Sequence, residues 1–193
     1  MKSSTVMSFA RTASSPWKNG LGRTTELAIH PAGAGSDDFE WRVSIAQLDV
    51  SAPFSNYPGI DRCLAVLRGE MVMLRPSQPP LTLTPHSQPV RFAGSDAVEG
   101  RVVRGPVLDL NVMCKASHWR ATLRRMRWST DTAVPIAAPA VLCSISNGID
   151  IEIDGSASRL DLYDAVLVQL DTVLRIKASQ PVEAYLIELQ RQP

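Results

Sequence analysis

Apolar and polar residues alternate along much of this chain, in runs too short for helices. Ile149, Ile151 and Ile153 fall on one side of an extended segment, and Asp150, Glu152 and Asp154 fall on the other. That is the period-two mark of a half-buried strand. Trp41, Val43 and Ile45 alternate with Arg42 and Ser44, and Leu108, Leu110 and Val112 with Asp109, Asn111 and Met113. Thr25, Leu27 and Ile29 oppose Thr24 and Glu26. Such segments recur roughly every ten to fifteen residues, as in a sandwich or barrel. They predict strands at Thr24–His30, Glu40–Gln47, Arg62–Leu67, Met71–Arg75, Leu108–Met113, Trp119–Met126, Val141–Ser146, Ile149–Asp154, Ala165–Gln169 and Glu183–Leu189. Leu160–Tyr163 reads as a further short strand, Arg68-Gly69 as a tight turn and Asp131–Pro139, with two prolines among alanines, as a connector.

The strands after that connector form a faint echo of those before it, without their polar rows. The pattern therefore predicts an all-β chain of two tandem barrels or jelly rolls, spanning 1–115 and 116–193. The boundary falls between about 115 and 140, because element edges are the weakest feature of a sequence pattern. In a small barrel one face of every strand looks inward. The polar rows on three strands of the first half would then line a common cavity, a usual form of small-ligand site.

With 193 residues and 45% hydrophobic content, the chain can bury a substantial core. A net charge of +1 from 20 basic and 19 acidic residues leaves no footprint for nucleic acid and no polybasic membrane segment. The cluster Arg120, Arg124, Arg125, Arg127 reads as a solvated face. Cys63, Cys114 and Cys143 are odd in number and sit in apolar stretches, which predicts buried thiols in a reducing compartment. The N-terminus lacks an apolar signal-peptide core and no run is long enough to span a membrane, so a cytoplasmic location is expected.

The stretch Pro53 to Glu70 resembles the first motif of the cupin β-barrels, H-x-H-x4-E-x6-G. Counting back from Gly69, the ligand positions fall on Arg62, Tyr57 and Ser55. The second motif, P-x-G-x2-H, aligns with Phe92 to Ala97 and places Ala97 at the last ligand. All four ligand positions are replaced, and His30, His86 and His118 show no ligand-like spacing, so neither a metal nor another cofactor is expected. An arginine cannot lose its proton and is shaped for a carboxylate. Nucleophile signatures are also missing: no G-x-S-x-G elbow surrounds a serine, and no cysteine lies in a polar loop.

The combination WKNGLGRTTE, WRVSIAQLDVSAPFSNYPGIDR, RFAGS and DLNVM resembles the HutD family of histidine-utilisation accessory proteins, which includes the Ves proteins. The resemblance covers about residues 16–113. It implies a bicupin fold, an association with histidine catabolism and a signature containing Trp17, Asn19, Gly20, Gly22, Thr24, Glu26, Trp41, Arg42, Ser44, Phe54, Ser55, Gly59, Arg62, Gly94, Asp109 and Asn111. No enzymatic reaction comes with it.

Three readings of function stay open. In the first, a non-catalytic sensor or regulator binds a small carboxylate. Arg42 and Arg62 hold the acid, Asn19, Thr24, Ser44, Ser55 and Asn111 contribute polar contacts, and Glu26 and Asp109 either read a donor on the ligand or hold the arginines. The family association suggests urocanate or N-formylglutamate. In the second, the same acid is the substrate of a metal-independent isomerase or hydrolase, with Glu26 or Asp109 as general base. In the third, the polar rows face solvent and the bicupin is structural. The two-barrel layout also suggests a homodimer. The first reading is carried forward, with no residue assigned to catalysis.

Overall fold

A computed structural model describes residues 6–17 and 20–192. The strands are β1 (Val6–Met7), β2 (Ser15–Pro16), β3 (Gly22–His30), β4 (Trp41–Leu48), β5 (Ala52–Pro53), β6 (Ile60–Leu74), β7 (Leu81–Leu83), β8 (Val90–Ala93) and β9 (Glu99–Lys115). They continue as β10 (Trp119–Trp128), β11 (Thr132–Ile136), β12 (Ala140–Ser144), β13 (Ile149–Ile153), β14 (Ser156–Leu160), β15 (Ala165–Val168), β16 (Thr172–Lys177) and β17 (Val182–Arg191). A single 3-10 turn at Phe9–Arg11 is the one helical element among the described residues. Among the described residues no helix is long and apolar enough to cross a membrane.

The chain divides into two compact units, residues 13–120 with 192, and residues 6–12 with 121–191. The expected division at 115/116 precedes the observed one by a few residues, and the chain's first described segment goes with the C-terminal unit through the pairing of β1 with β15. The N-terminal unit is one sheet, ordered β2-β3-β4-β9-β6-β7, with β5 added to β9 and β8 to β6. The C-terminal unit is two sheets, β1-β15-β12-β17-β10 and β11-β16-β13-β14.

Three expectations need correction. The Arg68-Gly69 turn is absent, because β6 runs from Ile60 to Leu74 as one strand. Its pairing with β9 slips between Val66 and Met71, and Gly69 sits in this bulged stretch at φ +83°. A Cβ there would lie 2.6 Å from the Arg104 carbonyl oxygen, so only glycine lets the two backbones approach. The Asp131–Pro139 connector contains β11, an edge strand on which Pro135 lacks only a donor the sheet does not need. Of Leu160–Tyr163 only Leu160 is extended, as the last residue of β14, and the chain then turns at Leu162 and Tyr163, the latter at φ +68°.

The arginine cluster is solvated and partly paired. Arg124 meets Glu188 at 2.6 Å and Arg125 meets Glu183 at 2.5 Å, both from β10 to β17. Charges on this edge strand discourage pairing with another sheet. Cys63, Cys114 and Cys143 are buried and form no disulfide, and burial pushes Cys143 up to about 12.

Candidate functional site

The register of three strands builds the site. In β4 and β9, Arg42 lies opposite Met113, Ser44 opposite Asn111 and Ala46 opposite Asp109. On the other side of β9, β6 sets Arg62 opposite Met113, Leu64 opposite Asn111 and Val66 opposite Asp109. Directly paired residues share a face, so both arginines flank Met113 at one level of the interior. Asn111 and Asp109 follow along β9. Leu64, Val66 and Phe92, level with these polar residues, join Leu48, Met71, Met73 and Val107 in an apolar cluster.

Beside this cluster lies a cavity of about 450 Å³. Arg42, Arg62, Thr24, Ser44, Ser55, Asp109 and Asn111 all line it, together with Trp17, Ser36, Asp37, Phe54, Asn56, Tyr57 and Met113. Seven of the nine expected site residues thus converge. Glu26 does not line the wall but forms an ion pair with Arg42 Nε at 3.2 Å. The geometry of that contact is not a hydrogen bond, and Arg42 Nε remains without a hydrogen-bond partner. Asn19 lies outside the described residues. The strands on either side of it pair, with Ser15 opposite Thr24, and the Trp17 indole donates to Thr24 Oγ1 at 2.8 Å.

Arg62 is the centre of the site. It is only 6% exposed, and its guanidinium carbon lies 5.1 Å from the Phe54 ring centroid and 5.0 Å from that of Phe92. The two rings are neighbours, with centroids 6.1 Å apart and planes tilted by 31°, and each can add a cation–π attraction to the guanidinium. Nη1 donates to the Ser55 carbonyl at 3.4 Å, so Ser55 contributes its backbone here, while Nε has no partner. Burial lowers the Arg62 pKa and Asp109 opposes that shift, but a guanidinium stays charged in a protein. Asp109 is 2% exposed, and burial pushes its carboxyl up to about 7 although Arg62 pulls it down. Asp109 Oδ2 and Asn111 Oδ1 also lack hydrogen-bond partners.

Two loops complete the rim. Tyr57 N donates to the Gly94 carbonyl at 2.8 Å, and Gly94 N donates to the Ile60 carbonyl at 2.6 Å. A side chain at Gly94 would lie 2.9 Å from Ile60 O and clash with the Tyr57 backbone. The loop carrying Ser36 and Asp37 ends at Glu40, whose carboxylate accepts from Lys115 Nζ at 2.8 Å, Trp119 Nε1 at 3.1 Å and meets His118 Nδ1 at 2.8 Å. Lys115 and His118 together hold Glu40 down at about 2. A second cavity of about 410 Å³ adjoins the first, sharing Ser36, Asp37, Asn56 and Tyr57 in its lining.

Sequence reasoning missed Phe92, the second ring packed against the Arg62 guanidinium. It lies opposite Arg62 across β6 and β8, a pairing between segments 30 residues apart that no local pattern reveals. The cupin metal set does not fit. Ser55, Tyr57 and a buried guanidinium stand at three of its positions, while Ala97 is exposed and outside the cavity wall. Among the described residues no three His, Cys, Asp or Glu side chains gather as metal ligands.

Comparisons with known proteins converge on one family. The HutD family model matches residues 10–186. An uncharacterised 21.2 kDa Pseudomonas putida protein from the hutC 3′ region is 32% identical over 158 residues, 80% of each chain. Protein Ves of Cronobacter sakazakii is 37% identical over 110 residues, 56% of this chain and 59% of that one. The structure of HutD from Pseudomonas fluorescens SBW25 superposes with a TM-score of 0.82 at 26% identity, covering 99% of this chain and all of the other. A cupin 2 conserved barrel domain protein from Leptotrichia buccalis, at 9% identity, shares the fold with a TM-score of 0.66 and 96% coverage of both chains. The architecture is accordingly an all-β bicupin.

Proposed function

The chain belongs to the HutD family, and from that premise we propose that it binds a small carboxylate metabolite of histidine utilisation without needing a metal. The observation that carries this reading is Arg62, a charged group buried in a cavity wall with Nε unsatisfied. Arg42, at the same strand level, supplies a second guanidinium. Charge-assisted hydrogen bonds contribute on the order of 1.5–3 kcal/mol each. Two of them, less the cost of ordering a ligand, support roughly micromolar affinity. That range suits a protein that senses or buffers an intermediate. The buried thiols fit a reducing compartment, which we take to be the cytoplasm.

Calorimetric titration of the purified protein with urocanate and N-formylglutamate tests the proposal. Saturable binding of either acid, weakened about 10- to 150-fold by Arg62→Ala, is the expected result. No binding of either acid, or equal binding by the variant, removes the carboxylate reading.

One observation favours an enzymatic alternative. Asp109 escapes a direct hydrogen bond with arginine and titrates near neutrality, as a general base should. Turnover of either acid, abolished by Asp109→Asn, would establish it over the sensor.

A further inference from the structure

The carboxylate reading uses the donors of the cavity and leaves its acceptors unexplained. Asp109 and Asn111 are 2% and 7% exposed, both line the cavity, and Oδ2 of one and Oδ1 of the other have no partner. Buried acceptors without donors are costly, and native interiors seldom keep them. A carboxyl retains acceptor capacity in either protonation state, and an amide oxygen is always an acceptor. A simple carboxylate ion brings only further acceptors, so it satisfies the arginines and leaves these two atoms as they were.

Their position adds a constraint. Arg42 and Arg62 pair with Met113, while Asn111 stands two residues further along β9 and Asp109 four. Two residues of strand advance about 7 Å. A ligand that reaches both sets therefore carries its acceptor and its donor at separate points of one framework.

From these two observations, and resting on the carboxylate reading above, we infer that the ligand is an acid bearing an N–H donor several bonds from its carboxylate, with Asp109 and Asn111 as the residues that select for that donor. Formate, acetate and unsubstituted dicarboxylates fall outside the class. A site built around acceptors discriminates sharply, because an analogue lacking the donor leaves them buried and unpaired.

Isosteric pairs that exchange N–H for oxygen test the selection. Calorimetry would compare urocanate with 3-(1,3-oxazol-4-yl)acrylate, and N-formylglutamate with 2-formyloxyglutarate, on the intact protein. The expected outcome is a preference for an N–H acid over its oxygen mate on the order of tenfold to a hundredfold. In Asn111→Leu that preference should narrow. Equal affinity within both pairs, or tighter binding of the oxygen mates, overturns the inference and leaves the carboxylate reading intact. If no compound of either pair binds, that reading falls and takes the inference with it. A thermal melt checks that Asn111→Leu is folded, and should it not be, the wild-type comparison decides alone.

Discussion

The two units of this chain treat their interiors in opposite ways. In the C-terminal unit, Ala140 and Leu142 of β12, Val166 and Val168 of β15, and Ala184 and Leu186 of β17 meet Ile151, Ile153, Leu174 and Ile176 in one apolar cluster. In the N-terminal unit the inward row of β9 is Val107, Asp109, Asn111 and Met113, and that of β4 is Leu48, Ala46, Ser44 and Arg42. Both rows begin apolar, at Val107 and Leu48, and turn polar further on, at Asp109 and Asn111 in β9 and at Ser44 and Arg42 in β4. The lesson is local: a half-apolar floor closes one end of an interior, and a handful of polar substitutions along two strands keeps the other end open. The filled unit contributes stability, whereas the open unit holds buried polar atoms in readiness.

The sharpest attack on this contrast is a deletion in the filled unit. Leu142 is fully buried, and Leu142→Ala should cost about 2–5 kcal/mol by urea denaturation. Affinity for carboxylates should stay within a factor of about two, because the binding residues belong to the other unit. A comparable loss of affinity would show that the division of labour is wrong.

Next in size is the pH dependence that belongs to the open unit. Asp109 has its folded pKa raised from 3.8 to about 7, so between those values the folded state holds a proton that the unfolded chain has released. Its contribution is complete below about pH 4 and is lost as pH rises toward 7, a change on the order of a few kcal/mol. Denaturation midpoints between pH 4 and 8 should fall accordingly, and Asp109→Asn should flatten that slope. A wild type whose stability is level across this window contradicts the buried, unpaired carboxyl.

The smallest effect is expected at the rim. Glu40 is held at about 2, chiefly by Lys115 and His118, so the stabilisation it gives is present above the ordinary carboxylate range and fades as pH falls toward 2. Its side chain is a quarter exposed, and screening keeps the contribution below about 1 kcal/mol. Glu40→Gln should shift the midpoint slightly at pH 7 and not at pH 2. A large shift would mean the 31–40 loop supports more of the unit than its contacts suggest.

Alternation made much of this legible in advance. The polar rows of β3, β4 and β9 point where period-two reasoning puts them, and Thr24, Arg42, Ser44, Arg62, Asp109 and Asn111 meet in one cavity. What stayed hidden depends on register or irregularity. Between Glu26 and Ala28 the pairing of β3 with β4 slips, and Glu26 pairs with Arg42 without joining the wall. The bulge at Gly69 looks, in one dimension, like a hairpin turn. Pro135 reads as a strand breaker until the sheet order shows β11 at an edge. Phe92 carries no signal of its own, since only a long-range pairing gives it meaning.

Resting one flat cation against two neighbouring benzyl rings fixes more than its location. Buried against Phe54 and Phe92, Arg62 cannot pivot freely, so its free N–H edge offers a visitor the plane of the guanidinium itself. A trigonal carboxylate can lie in that plane and match it with both oxygens, whereas a lysine would keep the charge and surrender the orientation. At this position, then, the protein has committed to a shape as much as to a sign.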